Sequence, residues 1–252
     1  MSENETQNST STSSGTNYAL PMSIIVAAAL IAGAWVYSAG LKNPSSAGVP
    51  DNAQLGQVSN PTPQSETIIL KPVDASDHIR GSVSAPVKIV EYSDLECPFC
   101  KSFHKTMQEV MAQYGASGKV AWVYRHYPLD ALHSKARASA EGAECAAEQG
   151  GNDKFWAYVD TYFSMTPSNN QVDLAILPQI AQSIGVNVNK FNTCVAAKKY
   201  EAKIDASIKD AEGAGAQGTP YSVVIAKDGK TYAINGADSY DNVRAIIDQA
   251  LR

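Results

Sequence analysis

The stretch EYSDLECPFCKSF, Glu91 to Phe103, sets two cysteines, Cys97 and Cys100, two residues apart with Pro98 and Phe99 between them. Two thiols at that spacing can clip a metal, close a static disulfide or trade a disulfide with another protein. A zinc site needs two further ligands at short spacing, usually a second such pair or two histidines. Cys145 and Cys194 stand alone in separate helical segments, and His104, the i+4 neighbour of Cys100, reads as a solvated helix residue. The spacing disfavours zinc.

The flanking elements bear on the other two chemistries. APVKIVEYSD, Ala85 to Asp94, is rich in β-branched residues, with Val87, Ile89 and, after a slip, Tyr92 interleaved with polar positions. That pattern predicts a strand ending just before the cysteines, and TIIL, Thr67 to Leu70, predicts an earlier one. From Pro98 onward Phe99, Phe103, Met107, Val110, Met111 and Tyr114 recur at helical spacing, and Pro98 suits a first helical position. GASG closes this helix, and KVAWVYRHY, Lys119 to Tyr127, predicts a third strand, parallel to the one before the helix.

Cys97 therefore falls at a strand-to-helix turn. Unsatisfied N–H groups and the positive end of the helix dipole favour a thiolate there, and the thiolate is what attacks disulfides. Cys97 is then the exposed attacking sulfur, and Cys100, a turn further in, the less exposed one that resolves or re-forms the bond. Pro98 stiffens the loop. Phe99 adds an apolar contact but no charge or donor, so it predicts a less stabilised thiolate and a milder oxidant than a histidine there would give.

The chain before this unit has three zones. Residues 1–17, dominated by Ser, Thr and Asn, predict a disordered tail. Residues 18–41 carry no charge and are long enough to cross a bilayer as a helix, with Trp35 and Tyr37 near one interface. A cleaved signal peptide is the alternative, but its usual basic n-region is missing, since the first Lys or Arg is Lys42. Residues 42–66, rich in Pro, Ser, Asn and Gly, read as a flexible linker. At 252 residues, 44% hydrophobic and −5 in net charge, the remainder, 67–252, can bury one enzyme-sized core and offers no basic face to nucleic acid.

Beyond the third strand the pattern turns helical. Ala131 to Gln149 is alanine-rich and contains Cys145; KFWAYVDTYF continues with Phe155, Val159, Tyr162 and Phe163; DLAILPQIAQSIG stops at Gly185. Asn189 is the expected cap of one long helix through Phe191, Val195, Ile204 and Ile208. QGTP interrupts, YSVVIAKDGKTYAING is a hairpin about Asp228-Gly229, and Tyr240 to Leu251 closes as a helix.

From about Asp77 to its end the chain resembles the DsbA-like branch of the thioredoxin superfamily. GSVSAPVKIVEYSDLECPFCKSF, AECAAEQGGNDKFWAYVDTYF and GAQGTPYSVVI carry the likeness, in that order. The resemblance implies an α/β thioredoxin fold with a helical insertion, here about 131–212, which would follow the single transmembrane helix read from residues 18–41. It implies a cis bond before Pro220, close to the active disulfide, with Thr219 presenting backbone groups to a substrate chain. Glu91 matches a buried acid that moves protons at the inner cysteine; a surface glutamate at a strand edge is the alternative.

Cys145 and Cys194 lie on helices of the insertion and are expected to form a structural disulfide, since a tethered dithiol enzyme belongs outside the cytoplasm. Such a bridge would enclose roughly fifty residues, worth about 4 kcal/mol in the chain-entropy model. Two buried free thiols are the alternative. The expected protein is a monomeric, single-pass, membrane-anchored oxidoreductase, N-terminus cytoplasmic and catalytic domain outside. It would donate the Cys97–Cys100 disulfide without cofactor or metal and be reoxidised by a quinone-linked membrane partner of the DsbB or vitamin K epoxide reductase type. An isomerase or reductase on the same fold, and a redox-silent tethered chaperone or binding module, are the alternatives.

Overall fold

VKIVEYS, Val87–Ser93, is buried along almost its whole length, which suits a strand with neighbours on both sides and cover on both faces. The computed structural model describes residues 64–65 and 67–252 and places this strand, β2, at the middle of a five-stranded sheet. The expected tail and anchor lie outside the described residues, as does all of the linker but 64 and 65. Among the described residues no helix is long and apolar enough to cross a membrane.

The sheet order is β1-β3-β2-β4-β5, with β1 at His78–Arg80, β3 at Val120–His126, β4 at Tyr221–Ile225 and β5 at Thr231–Asn235. β2 and β3 run parallel, Glu91 opposite Tyr124, joined by the crossover helix α1, Pro98–Val110, and a π turn at Met111–Gly115. The other pairings are antiparallel, so the sheet is mixed.

Thr67–Leu70 is not a strand. Ile68 N–H donates to Thr231 Oγ1 and Lys71 N–H to Asp210 Oδ1, while Ile68 and Leu70 pack on the sheet. Its β-branched residues dock by side chains instead of joining a ladder, and Pro72 follows at once. Phe99 also leaves its expected stripe: it is 64% exposed, whereas Phe103, Met107, Val110 and Tyr114 are buried.

Between β3 and β4 stand the helices of the insertion. α2, Ala136–Met165, folds back at Gly150-Gly151, where Gly151 has φ 64°, so two antiparallel arms pack together. Gly142 lets them close, because a Cβ there would collide with the Tyr158 hydroxyl. A 3-10 turn, Leu174–Ile176, leads to α3, Leu177–Ser183, and α4, Val188–Ala196. The cap of α4 is Asn187, accepting from Lys190 N–H, and not Asn189. The expected long helix breaks at Lys198, φ 48°, before α5, Glu201–Gly213. Cys145 of α2 and Cys194 of α4 are joined as a disulfide, 49 residues apart.

The β4–β5 hairpin turns at Asp228-Gly229, and α6, Tyr240–Ala250, begins at a Ser239 cap. Alternation along the strands gives the sheet two cores. Val87, Ile89, Trp122 and Tyr124 join the side of α1, α2 and α6, while Val90, Tyr92, Val123 and Val223 face the end of α5.

Candidate active site

β2 ends at Ser93, and Cys97 N–H closes a turn onto the Asp94 carbonyl at 3.1 Å. Cys97 is the N-cap of α1, in extended conformation, with Pro98 following. Both cysteines are free thiols. The expectation of an exposed Cys97 is corrected: it is 3% exposed and Cys100 fully buried. The Thr219-Pro220 loop reaches the first sulfur. Its peptide bond is cis, and Cys97 Sγ donates to the Thr219 carbonyl at 3.3 Å.

The two thiols are driven apart in acidity. The hydrogen bond from the Cys100 thiol, helped less by the Thr219 side chain and the backbone N–H groups of Cys100 and Phe99, holds Cys97 down to about 6 against its burial. A carbonyl only accepts, so the Thr219 oxygen itself favours the protonated thiol. The Cys100 thiol and the helix-start N–H groups are what hold the anion. Burial pushes Cys100 well up, and the neighbouring Cys97 and Glu91 charges push the same way.

Glu91 is 1% exposed and lies mid-sheet between Tyr124 of β3 and Ser222 of β4, so the edge-glutamate alternative is excluded. Oε2 accepts from Trp122 Nε1 at 2.8 Å, while Oε1 has no hydrogen-bond partner. Burial, with a smaller push from Cys97, raises its carboxyl to about 7. An acid of that strength exchanges its proton near neutral pH beside a thiol that resists ionisation.

His104 is not solvated. It is buried between Trp122 and Phe163, and Nε2 meets Asp160 Oδ1 at 2.7 Å. Its partner is a carboxylate on α2, and Asp160 also pairs with Arg80 at 2.6 Å.

Residue patterning missed Asp94, Glu96 and His133, all buried beside the thiol loop. The available signal was two carboxylates in the turn before Cys97. They tie this loop to the insertion: Glu96 Oε2 accepts from Lys135 N–H at 3.2 Å, and the Glu96 carbonyl from Asn169 N–H at 2.7 Å. Lys101 Nζ adds a bond to the Thr166 carbonyl at 2.6 Å. Phe99, Leu132 and Met165 stand exposed on the segments so joined.

Residues 74–249 match the family described as Thioredoxin. Among solved structures, DsbA2 of Pseudomonas aeruginosa is 26% identical with a TM-score of 0.59, the match covering 72% of this chain and 97% of that one. Oxidised BdbD of Bacillus subtilis, 20% identical, shares the fold with a TM-score of 0.63 over 73% of this chain and 98% of its own. Among curated proteins, the Na(+)/H(+) antiporter NhaA 3 of Salinispora tropica is 34% identical over 153 residues, 60% of this chain. That match spans 22% of the antiporter's length.

Proposed function

The chain belongs to the thioredoxin family, in its DsbA-like form, and on that premise we propose that it is an extracytoplasmic protein disulfide oxidoreductase donating the Cys97–Cys100 disulfide to reduced proteins. The observation that carries this reading is the split at the start of α1, where Cys97 ionises near neutral pH and Cys100 keeps its proton. A bridge that never turned over would gain nothing from it.

In the donating direction a substrate thiolate attacks Cys97 Sγ. The substrate–Cys97 bond forms as the Cys97–Cys100 bond breaks, and Cys100 leaves with the electron pair. Buried among negative neighbours, that sulfur takes up a proton, which Glu91 supplies near neutral pH. A second substrate thiolate then attacks the substrate sulfur, closing the new disulfide and expelling Cys97 as the stabilised thiolate. The substrate is oxidised by two electrons and the enzyme reduced by two. Thr219 and Pro220 border the place of the substrate backbone, and the exposed Phe99, Leu132 and Met165 offer apolar contact to an unfolded chain.

Turnover requires an electron acceptor, and a quinone-linked membrane protein of the DsbB or vitamin K epoxide reductase type fits. The uncharged run 18–41 would anchor a monomer with its N-terminus in the cytoplasm. The likeness to part of a protein named as an antiporter supports a place at a membrane. Protease added to intact cells should cut the C-terminal domain; its protection would defeat this topology.

The deciding measurement is the reduction potential of Cys97–Cys100, equilibrated in glutathione buffers with thiols trapped by mass. A value above the roughly −270 mV of thioredoxin supports donation. A value at or below it would make the protein a reductase.

A further inference from the structure

Asp94 touches both active cysteines through its backbone: its N–H donates to Cys100 Sγ at 3.4 Å, and its carbonyl accepts from Cys97 N–H at 3.1 Å. Its carboxylate, with a residue exposure of 1%, is fully engaged elsewhere. Oδ1 accepts from Glu96 N–H at 2.7 Å, and Oδ2 from Leu129 N–H and His133 Nδ1, both at 2.8 Å. Because a carboxylate only accepts, that bond puts a proton on Nδ1 of the imidazole. His133 is itself buried, in the loop between β3 and α2. The insertion thus grips the side chain whose peptide group meets the inner sulfur.

We propose that Asp94 is a positioning residue for disulfide exchange and that His133 supports it. The carboxylate fixes the turn so that Asp94 N–H points at Cys100 Sγ when that sulfur leaves Cys97 with the electron pair. A hydrogen bond to an anionic sulfur is stronger than one to the neutral sulfur of the disulfide, so the contact favours bond breaking over the resting state. The thiolate at Cys97 is held by other donors, Cys100 and the helix-start N–H groups, so the effect belongs to the leaving sulfur alone.

The proposal rests on the exchange reading above, and one experiment separates the two. Oxidised full-length protein is mixed with dithiothreitol, quenched in acid at intervals, and its free thiols counted by mass. Separately, the reduced protein is alkylated with iodoacetamide across pH to locate the Cys97 midpoint. His133→Ala and Asp94→Ala should slow the opening of the disulfide about tenfold, as loss of one hydrogen bond to a charged group does, with the Cys97 midpoint unmoved. His133→Asn, whose Nδ2 stands in for Nδ1, should recover most of that loss. If Asp94→Ala does not fold, the two His133 variants decide.

Opening at the wild-type rate in His133→Ala overturns the proposal, as does a Cys97 midpoint that shifts together with the slowing, which marks general damage to the loop. Wild-type protein inert to dithiothreitol would defeat the exchange reading itself.

Discussion

Glu91 Oε2 and Trp122 Nε1 share a 2.8 Å hydrogen bond between the two parallel central strands, while the other carboxyl oxygen has no hydrogen-bond partner. Burial makes this carboxyl hold its proton to about 7, against an ordinary 4.5.

The folded reduced protein therefore binds more protons at Glu91 than the unfolded chain between about pH 4.5 and 7, and its stability falls as pH rises through that window. Above it the deficit is constant, on the order of 3 kcal/mol. Glu91→Gln removes the titration while keeping an acceptor for Trp122. Urea unfolding of the reduced protein should find the variant more stable at pH 8 and little changed at pH 4.5. An equal difference at both values would mean that Glu91 ionises normally.

What the residue order disclosed and what it hid differ in range. Cys97 at a helix start and the Asp228-Gly229 hairpin depend on neighbours within a few residues, and both stand as expected. The burial of His104 depends on Asp160, 56 residues away, so helix spacing alone left it in solvent. Lys198 breaks the expected long helix with a positive φ at a residue that is neither Gly nor Asn, a choice no local pattern announces. Glu91 was legible as buried only by resemblance, because its strand partners, Tyr124 and Ser222, come from distant parts of the chain. The Asp94–His133 contact also depends on folding, across 39 residues.

Cys145 and Cys194 close a 49-residue separation between α2 and α4 of the insertion, and neither sulfur enters the exchange reaction. Replacing both with alanine should lower stability by about 2–5 kcal/mol. The pH midpoint for Cys97 alkylation should stay where it is, because the groups that hold it, the Cys100 thiol and the helix-start N–H groups, are untouched. A midpoint that moved toward 9 would show that the bridge shapes the site as well as the fold.

Gly142 and Tyr158 pack directly against each other where the two arms of α2 meet. Gly142→Ala should destabilise by about 1–3 kcal/mol through overpacking. The Tyr158 hydroxyl is buried with no hydrogen-bond partner, so Tyr158→Phe costs no bond and removes the atom a new methyl would strike first. The double variant should regain much of the loss, as measured by thermal or urea unfolding. Additive losses would place the conflict at the ring itself, whose Cζ stands 2.8 Å from the new methyl and remains in Tyr158→Phe.

Cys97, held to about 6 instead of 9, favours the reduced form once pH exceeds 6, and this contribution is lost as pH falls through that value. At pH 7 the gain is about 1.4 kcal/mol, or roughly 30 mV of added oxidising power. Thioredoxin's attacking thiol ionises near 7 and that of DsbA near 3.5, so this chain should lie between them and nearer the weaker oxidant. Phe99 is exposed, and its N–H is among the groups holding the thiolate, so a cationic side chain at 99 can act on Cys97 without disturbing the core. Phe99→His should lower the Cys97 midpoint and raise the reduction potential, both read on the same protein by alkylation against pH and by glutathione equilibrium. A potential that rises while the midpoint stays fixed would assign the oxidising power to the disulfide form instead of the thiolate.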